Sequence, residues 1–332
     1  MLLRFIDFLT PLLQIFPPEV SHTFALKSLR LLNYIGFNFQ YTKSKPRKIF
    51  GVEFKNQVGL AAGLDKNGDY IGALSSLGFG FIEVGTVTPR PQEGNPKPRL
   101  FRHKRDLVLV NKMGFNNKGV DHLVERIKKT RLDCVLGISI GKNFDTSNED
   151  ALKDYLECLN KVYEFADYVA INISSPNTKD LRVLQTEKYL EDILESLVKE
   201  RDKLEEIYGY KPLILKVSPD LKEEEIKFIS RVVKLKKLDG VICTNTSNVH
   251  DYEPKDAGMS GAALLDLSNT VLSHFRKYLG KDFPIIASGG VLDLESYHKK
   301  ISLGADLVQL YTGIIYKGPG LVQKLVNETR DF

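Results

Sequence analysis

Amides and hydroxyls are concentrated in one short stretch of the chain, the sequence NISSPNT at 172–178. It follows the apolar run 168–171, which is typical of a buried parallel strand, and Pro176 cannot continue a strand ladder. Because serine, asparagine and proline are also common turn residues, this stretch alone predicts only a loop. The loop contains no histidine, which disfavours a Ser-His-Asp hydrolase. Ser175 could still remove a proton if water or the Thr178 hydroxyl relayed it while hydride loss drained the carbanion, which is a dehydrogenation across a C–C bond.

The elements that would position this loop follow from the hydrophobic pattern. Eight short apolar runs predict strands at 58–62, 81–84, 135–140, 168–173, 213–217, 240–243, 284–287 and 307–310. Helical patterns lie between strands at 149–166, 188–207, 221–236 and 293–302. This alternation predicts an α/β fold, a (β/α)8 TIM barrel. An open doubly wound sheet is the alternative, but GLAAG at 59–63 does not match the GxGxxG turn expected after its first strand.

In such a barrel, functional groups lie at the carboxyl ends of the strands. All eight predicted ends carry polar residues or glycine, at 63–66, 85–86, 139–143, 172–178, 216, 244–246, 288–290 and 311–313. Long inserts follow the second, fourth and sixth strands and contain 111–115, the Ser175 loop and 245–262. Chance explains one polar end easily and eight poorly. The sequence therefore predicts one site formed by all of these ends together.

The last two strand ends contain glycine turns, and the second turn leads to Gly318-Pro319-Gly320 at the start of a predicted helix. Backbone N–H groups at glycine turns and at helix N-termini bind phosphate. Either turn alone is equally typical of a tight turn, but the two together favour a phosphorylated cofactor. FMN is a good candidate because metal or thiol chemistry is not visible in the sequence.

Lys216 ends a strand inside the predicted barrel, and a buried lysine needs an anionic partner. A reduced flavin ring or a barrel carboxylate could supply that charge. Four asparagines at the strand ends and inserts offer both donors and acceptors: Asn111, Asn172, Asn177 and Asn245. Such a set matches a flat ring that alternates N–H and C=O groups, such as a pyrimidine. Lys66 would suit a carboxylate on that ring.

Composition narrows the class of protein. The 332 residues are 42% apolar and 27% charged, which is ordinary for a soluble globular protein. The net charge of +5 suits acidic small molecules or an anionic surface and is too weak to predict nucleic-acid binding. The three cysteines form no CxxC pair and the six histidines no HxH or HxxxH pair, so neither a disulfide framework nor a metal site is predicted. A reducing compartment is favoured.

Residues 1–40 differ from the rest of the chain. Apolar side chains recur at helical spacing over 2–16, and after Pro17 a second helix is predicted to begin at Pro18-Glu19. Neither segment has the ~20 apolar residues of a membrane span, and no signal-peptide cleavage site follows. This amphipathic helical hairpin either packs on its own domain or lies on a bilayer surface. Its high apolar content, and the cations Lys43, Lys45, Arg47 and Lys48 after it, favour the bilayer. We therefore predict a membrane segment, 1–40, followed by an FMN-binding barrel, 41–332.

Six motifs carry a family resemblance: GLAAGLDKNG at 59–68, GFGFIEVGTVTPRPQEGNPKPRLFR at 78–102, NKMGFNN at 111–117, NISSPNT at 172–178, KVSPDL at 216–221 and LVQLYTG at 307–313. From about Pro18 to its C-terminus the chain resembles the quinone-linked class 2 dihydroorotate dehydrogenases. The resemblance implies oxidation of (S)-dihydroorotate to orotate in pyrimidine (UMP) biosynthesis. Hydride would pass to FMN while a base takes the neighbouring proton. A membrane quinone would reoxidise the flavin at the cytoplasmic side of the cell membrane.

The resemblance also implies roles for individual residues. Ser175 falls at the catalytic base, where class 1 enzymes have cysteine, with Thr178 and Phe115 beside it. The implied substrate-binding residues are Lys66, Asn111, Lys112, Met113, Gly114, Phe115, Asn172, Asn177, Asn245 and Thr246. The implied FMN-binding residues are Ala62, Gly63, Leu64, Asp65, Lys66, Thr86, Ser139, Asn172, Lys216, Thr244, Gly261, Gly290, Tyr311 and Thr312. His22 and Arg102 fall at the quinone site, in a tunnel formed by the N-terminal hairpin, and no metal is implied.

Two positions depart from the family pattern. Ser139 stands where the family usually has an FMN-contacting asparagine, so we expect that contact to be shortened or replaced by water. Ala263 stands where SGxPL has proline, which leaves the geometry around Gly261 open.

Three alternatives remain at this stage. A class 1 relative using fumarate or NAD would lack the N-terminal hairpin and carry cysteine at 175. An RNA-reducing flavin barrel, such as a dihydrouridine synthase, would need a catalytic cysteine on a loop, whereas all three cysteines lie in predicted strands or a helix. A membrane-binding barrel without catalytic activity is the third.

Overall fold

The computed structural model describes residues 7, 10–36, 46–178 and 180–328. The strands in these residues are β1 (Arg47–Ile49), β2 (Val52–Phe54), β3 (Val58–Leu60), β4 (Phe81–Val87), β5 (Leu100–His103), β6 (Val108–Asn111), β7 (Val135–Ile140), β8 (Tyr168–Asn172), β9 (Leu213–Val217), β10 (Gly240–Cys243), β11 (Gly258–Gly261), β12 (Ile285–Ser288) and β13 (Leu307–Leu310). The helices are α1 (Pro18–Tyr34), α2 (Ile71–Ser75), α3 (Val120–Lys128), α4 (Ala151–Val162), α5 (Glu187–Tyr208), α6 (Glu223–Leu235), α7 (Leu265–Leu279), α8 (Leu294–Ser302), α9 (Thr312–Lys317) and α10 (Gly320–Glu328). Short 3-10 turns lie at Tyr163–Phe165, Leu181–Gln185 and Ala262–Leu264.

Eight of the strands form a closed parallel barrel in the order β3-β4-β7-β8-β9-β10-β12-β13. The ring closes where β13 pairs with β3, with Val308 opposite Val58. The predicted (β/α)8 barrel and all eight of its strands are therefore confirmed, and the open doubly wound sheet is wrong. The predicted boundaries are close: β3 ends at Leu60 rather than at 62, and β4 continues to Val87 rather than ending at 84.

The barrel interior changes character from one end to the other, because alternate residues of each strand point inward and form layers. The layer at the amino ends is apolar and consists of Phe81, Val135, Tyr168, Ala170, Ile214, Ile242, Ile286 and Leu307, with Phe54 from outside the barrel strands. Two residues further along their strands lie Glu83, Lys216 and Gln309, all buried. The strands thus carry the chain from an apolar base through a charged layer to the polar carboxyl ends.

The strands β1 and β2 form an antiparallel hairpin ahead of the barrel. It covers the amino end of the barrel: Phe54 is fully buried, and its ring lies 5.5 Å from that of Phe81, edge to face. Ile49, Phe50 and Val52 pack against the same apolar layer. This hairpin stabilises the amino end of the barrel by burying apolar surface.

Two of the predicted long inserts join into one structure at the carboxyl end. The insert after β4 contains β5 and β6, the insert after β10 contains β11, and these three strands form an antiparallel sheet in the order β11-β6-β5. Asn111 at the end of β6 pairs with Gly258 of β11 and with Leu100 of β5. We call this the cap sheet. It was not predicted, because its strands are only four residues long and β11 joins β6 from about 150 residues further along the sequence.

The second N-terminal helix is confirmed as α1, which begins at Pro18 as predicted. It is attached to the cap sheet and the barrel: Glu19 pairs with Arg99 at 3.1 Å, and His22 Nε2 lies 2.7 Å from the Leu64 carbonyl oxygen. Of the first predicted helix, residues 10–13 are helical, and most of the rest lies outside the described residues. No helix in the described part of the chain is long and apolar enough to cross a membrane.

Candidate active site

A cavity lies over the carboxyl ends of the barrel strands and beneath the cap sheet; we call it the polar cavity. Five barrel strands contribute residues to its walls, and the segments directly after β3 and β10 contribute as well. The predicted site residues that line it are Ala62, Gly63, Lys66, Thr86, Asn111, Met113, Gly114, Phe115, Asn172, Ser175, Asn177, Lys216, Thr244, Asn245, Thr246, Gly261, Gly290, Tyr311 and Thr312. The fold thus brings together the strand ends and inserts that the sequence singled out. The individual roles of these residues remain predictions.

Lys216 has the barrel carboxylate that was one of its two expected partners. Its ammonium lies 3.2 Å from Glu83 Oε1, and both side chains are almost completely buried. Glu83 Oε2 also accepts hydrogen bonds from the Tyr168 hydroxyl at 3.0 Å and from Gln309 Nε2 at 2.8 Å. Charge-assisted bonds of this kind offset the cost of removing both charges from water. Lys216 therefore faces the cavity with its position fixed from below.

The four asparagines are tied to each other in two pairs. Asn177 Nδ2 donates to Asn111 Oδ1 at 2.9 Å, and Asn245 Nδ2 donates to Asn172 Oδ1 at 3.2 Å. Asn172 Nδ2 in turn donates to the Thr86 hydroxyl at 2.8 Å. In each pair an amide from a barrel strand or the cap sheet orients an amide on a loop. The cavity therefore has a preorganised set of polar groups along one wall.

Ser175 lies on this wall. In sequence it stands between Asn172 and Asn177, which belong to different pairs. Its side chain is buried but reaches the cavity, and its hydroxyl accepts from the Asn177 backbone N–H at 3.3 Å. Phe115, held at a positive φ of 53°, lines the cavity as well. Thr178 is buried with no hydrogen-bond partner for its hydroxyl among the described residues, and it lies outside the cavity wall.

The glycine turn after β12 also lines the cavity. Gly289 and Gly290 have φ angles of +115° and +78°, which favour glycine, and a Cβ on Gly290 would lie 2.5 Å from Leu265 Cα. Gly261 lines the cavity at φ +101° without the proline that the family pattern has two residues later. These turns present backbone rather than side chains to the cavity.

The third glycine segment is not part of this site. Gly318 and Pro319 line a second cavity, and the Gly320 N–H donates to the Asp7 carboxylate at 2.9 Å. The start of α10 is therefore occupied by a side chain from the N-terminal segment. The expectation that 318–320 contributes to a phosphate site is wrong for this reason.

Lys66 is the second cation of the polar cavity. Burial lowers its pKa to about 8, and the nearby Arg99 guanidinium acts in the same direction. It makes no ion pair with any residue that the structure describes. A partly desolvated cation without a protein partner is suited to bind an anionic ligand.

The second cavity lies between α1, the cap sheet and α9; we call it the apolar cavity. Its walls are mostly aliphatic, from Leu13, Ala25, Leu26, Leu29, Leu64, Leu74, Leu77, Leu100, Leu109, Ile314 and Ile315. The predicted quinone-site residues His22 and Arg102 both line it. Tyr311 lines both cavities and stands between them, and burial raises its pKa to about 12.

Hydrogen bonds fix the polar residues of the apolar cavity. Arg102 donates to the Phe16 carbonyl and, at 3.3 Å, to the Ser21 hydroxyl, which joins the cap sheet to α1. Burial and the charge of Lys66 lower the pKa of His22, so its imidazole is neutral at pH 7. A neutral histidine beside the Leu64 carbonyl donates through Nε2, which leaves Nδ1 as an acceptor.

Five residues predicted for catalysis, substrate binding or FMN binding do not line the polar cavity. Leu64 faces the apolar cavity instead. Asp65 accepts from the backbone N–H groups of Asp69 and Tyr70, at 3.0 and 2.7 Å, and burial raises its pKa to about 6.

The other three lie close to the cavity but behind or beside its wall. Lys112 points outward and lies 3.8 Å from Asp256. The Ser139 hydroxyl lies 2.9 Å from that of Thr86, so the shorter side chain at this departure from the family pattern supports Thr86 rather than lining the cavity. The fifth residue outside the cavity wall is Thr178, which is buried.

Sequence reasoning missed Glu83 and Gln309, the charged layer beneath the cavity. Gln309 lines the polar cavity, and its Oε1 is buried without a partner among the described residues. A signal was present: a glutamate inside the apolar run of β4 and a glutamine inside that of β13 are unfavourable unless they are paired. Ala61, Ser260, Leu264 and Val291, which also line the cavity, had no comparable signal.

A closed eight-stranded parallel barrel whose lysines, amides and glycine turns converge on one cavity at the carboxyl ends defines an α/β-barrel enzyme. Known proteins agree with this class. The family model described as dihydroorotate dehydrogenase matches residues 45–332.

Relatives and solved structures resemble the chain over most of its length. It is 48% identical to a dihydroorotate dehydrogenase (quinone) of Acinetobacter baylyi, over 96% of this chain and 97% of that protein. It is 46% identical to one of Azoarcus sp., over 98% of each. A DHODH of Eimeria tenella, solved in complex with ferulenol, superposes with a TM-score of 0.85 at 37% identity, covering 94% of this chain and 90% of that one.

The chain belongs to the dihydroorotate dehydrogenase family, and its relatives place it in the quinone-dependent class 2. This confirms the predicted resemblance and the prediction of an oxidoreductase. It excludes the fumarate- or NAD-dependent class 1 and the RNA-reducing barrel. In agreement with the latter exclusion, none of the cysteines lines the polar cavity.

Proposed function

We propose that the protein oxidises (S)-dihydroorotate to orotate with bound FMN and passes the electrons to a membrane quinone, as a step of pyrimidine biosynthesis leading to UMP. The observation that carries this proposal is the polar cavity itself. Ser175, Lys66 and the two asparagine pairs line the same cavity as Lys216 and the glycine turn at 289–290. A base, a carboxylate-binding cation and a cofactor cradle are thus within reach of one bound ring.

The residues present fit FMN. The Gly289-Gly290 turn and the start of α9 at Thr312 offer backbone N–H groups of the type that hold a phosphate. Lys216, fixed by Glu83, offers a cation to an electron-rich ring, and Gln309 Oε1 is a buried acceptor that still needs a donor. When bound, FMN supplies a hydride acceptor, a function that no amino-acid side chain can provide.

The protein's own groups would bind the substrate and move its proton. The amides of Asn111, Asn172, Asn177 and Asn245 would orient the ring, and Lys66 would pair with its carboxylate. Ser175 would accept the proton from the carbon next to the ring carbonyl, with the aromatic ring of Phe115 excluding water. The Thr178 hydroxyl, unpartnered among the described residues, is available to a water that relays this proton away.

The apolar cavity is the proposed quinone site. Aliphatic walls suit a lipid-soluble ring and tail, while His22 and Arg102 provide polar atoms for the quinone oxygens. Tyr311 separates this cavity from the polar one, so the two substrates would approach the flavin from different sides.

Exposed apolar residues support peripheral membrane binding at the cytoplasmic face. Of the fifteen large apolar side chains that are exposed in the described residues, eight lie between Leu12 and Ile35, including Ile15, Phe24 and Tyr34. A cluster of this kind marks an interaction surface. An amphipathic segment on the bilayer would open the apolar cavity towards dissolved quinone.

A visible spectrum of the purified protein tests the central claim. We expect a yellow protein whose flavin absorbance bleaches when dihydroorotate is added without oxygen and returns when a quinone is added. Fumarate and NAD, tested in parallel, should not restore the colour at a comparable rate. A colourless protein that takes up no FMN, or flavin that stays oxidised with dihydroorotate, would contradict the proposal.

A further inference from the structure

Ser175 itself makes few contacts. Among the described residues it receives one hydrogen bond, from Asn177 in the same loop, at 3.3 Å. Its neighbour Ser174 is held more firmly, because its hydroxyl lies 3.2 Å from Asn172 Oδ1 and accepts from Asn245 Nδ2 at 3.0 Å. Ser175 is therefore positioned from two sides, through Ser174 on one side and through Asn177, which is bonded to Asn111 and Asn95, on the other.

Arg182 fixes the other side of Ser174 and connects it to two further loops. Its Nε donates to the Ser174 carbonyl at 3.2 Å, and its Nη2 donates to the Thr246 carbonyl at 2.8 Å. Its Nη1 donates to Asp220 Oδ2 at 2.6 Å and to Asn248 Oδ1 at 2.7 Å. All three nitrogens of the guanidinium are used, and each of the loops after β8, β9 and β10 receives at least one bond.

Asp220 extends the same connection. Besides Arg182, its carboxylate accepts from the Ser247 hydroxyl and, at 3.1 Å, from the Asn248 backbone N–H. The pair is largely shielded from water, with 22% of the Arg182 side chain and 10% of the Asp220 side chain exposed. Shielded, charge-assisted hydrogen bonds of arginine define geometry more strictly than exposed ion pairs do.

We propose that Arg182, paired with Asp220, is a positioning residue that fixes the Ser175 loop against the Asn245–Thr246 edge of the polar cavity. This inference rests on the proposed function, in which Ser175 takes a proton from a ring bound to that edge. Arg182 does not line the cavity and needs no contact with the ring. Its effect is to keep the base and the substrate-binding loop at a constant separation, and a displacement of about 1 Å can cost about 100-fold in rate.

The test compares Arg182→Gln and Arg182→Lys with a matched control at the other end of the barrel. Arg276 donates to the carbonyls of Gly304 and Gly280 and to Asp306, which directly precedes β13. Like Arg182, it connects several loops through one guanidinium, but it does so at the amino ends of the strands. Arg276→Gln therefore removes an equally rich set of bonds without touching either cavity.

We expect Arg182→Gln to retain FMN and to slow anaerobic flavin reduction about 100-fold, with a smaller change in orotate affinity. Deuterium at the carbon that loses the proton should slow reduction more in this variant than in the wild type, because proton transfer becomes limiting. Arg182→Lys should recover part of the rate, since lysine keeps the charge but cannot span three loops. Arg276→Gln should lower the melting temperature and leave the reduction rate and isotope effect unchanged.

Two results would overturn the inference: wild-type reduction kinetics in Arg182→Gln, or an Arg182→Gln variant that loses activity only in proportion to lost FMN. Hydrogen exchange of residues 173–186 gives a readout that needs no turnover. Faster exchange there in Arg182→Gln but not in Arg276→Gln supports the inference, and equal exchange contradicts it. Wild-type protein that cannot reduce its flavin would contradict the proposed function instead, and the exchange measurement would still decide the role of Arg182.

Discussion

The polar cavity and the apolar cavity share Tyr311 as a wall, yet they are built from different parts of the chain. The polar cavity is formed by barrel strand ends and the cap sheet, and its lysine and amides are held by hydrogen bonds to buried partners such as Glu83 and Thr86. The apolar cavity takes much of its wall from residues 10–29, which precede the barrel in sequence.

The difference indicates how one barrel can serve two unlike substrates. A charged, water-soluble ring needs fixed donors and acceptors, and these require a rigid scaffold whose hydrogen bonds hold them in place. An apolar quinone needs only an apolar surface of suitable width, which an amphipathic helix packed on the barrel provides. Changes in one cavity should therefore affect one half of the reaction and spare the other.

The largest difference between the two half-reactions is expected in Ser175→Ala. Removing the proposed base should slow flavin reduction by dihydroorotate about 100- to 10,000-fold, while FMN content stays near that of the wild type. Stopped-flow absorbance without oxygen measures this rate. The same variant, reduced chemically, should be reoxidised by quinone at the wild-type rate, because Ser175 does not line the apolar cavity. Unchanged flavin reduction would remove Ser175 from the mechanism.

The converse change is Ala25→Phe on α1. Ala25 lines the apolar cavity, so a phenyl ring there would fill space that the quinone needs. We expect kcat/KM for quinone to fall about 10- to 100-fold, equivalent to about 1.4–2.8 kcal/mol, with flavin reduction unchanged.

Thr23→Phe is the matched control for this substitution. Thr23 lies on the same helix and is exposed, so the same ring would point away from the cavity. A soluble short-chain quinone should be used, so that membrane binding does not enter the comparison. If Ala25→Phe and Thr23→Phe had equal quinone kinetics, or if flavin reduction fell in Ala25→Phe, the division between the cavities would fail.

The pH dependence of the first half-reaction offers a third comparison. Burial lowers the pKa of Lys66 to about 8, so its ammonium is charged below that pH and neutral above it. The proposed ion pair with the substrate carboxylate is then lost as the pH rises through 8. We expect kcat/KM for flavin reduction to fall about tenfold by pH 9, since this ratio reports the free enzyme.

Lys66→Arg should abolish this decrease, because arginine stays charged across the range. Arg99, Glu19, Asp65 and His22 lie around Lys66. The pKa of Asp65 is raised only to about 6 and that of His22 is lowered, so neither group accounts for a decrease near pH 8. Quinone reduction by chemically reduced enzyme should not show the same descending limb. A limb that persists unchanged in Lys66→Arg would assign the titration to another group.

The two cavities also differ in how far the sequence predicted them. The barrel strands were found because each is a continuous apolar run, and β-branched runs buried on both faces leave a strong pattern. The polar strand ends followed from the rule that parallel barrels place function there. Lys216 and the four asparagines were found this way, before the family resemblance was considered.

What the sequence did not predict depends on contacts between distant residues. Glu83 pairs with Lys216 across 133 positions, and the cap sheet joins inserts after two different strands. The same holds for Asp65 and Gly320. The family resemblance implied an FMN contact for Asp65, and the local glycine pattern predicted a phosphate contact for Gly320. Instead, the Asp65 carboxylate accepts from the N–H groups of Asp69 and Tyr70, and Asp7 contacts the start of α10. Side-chain direction at a loop is decided by such partners, which neither periodicity nor composition encodes.

The smallest effect is expected at the wall that both cavities share. No described residue accepts a hydrogen bond from the Tyr311 hydroxyl, and burial alone raises its pKa to about 12, so the phenol is neutral at working pH. Tyr311→Phe should therefore change either half-reaction by no more than about threefold, because only a weak contact worth roughly 0.5 kcal/mol is lost.

Tyr311→Ala gives the contrast, because it removes the ring that separates the cavities. Titrating orotate in the presence and absence of a non-reducible quinone analogue measures the coupling between the two sites. In the wild type and in Tyr311→Phe the analogue should leave the orotate affinity unchanged, since ligands in separate cavities make no differential contacts with each other. In Tyr311→Ala the two ligands should compete, because the two cavities would then form one continuous space into which the apolar quinone analogue could extend. Competition already present in the wild-type protein would mean that Tyr311 is not the wall between two sites.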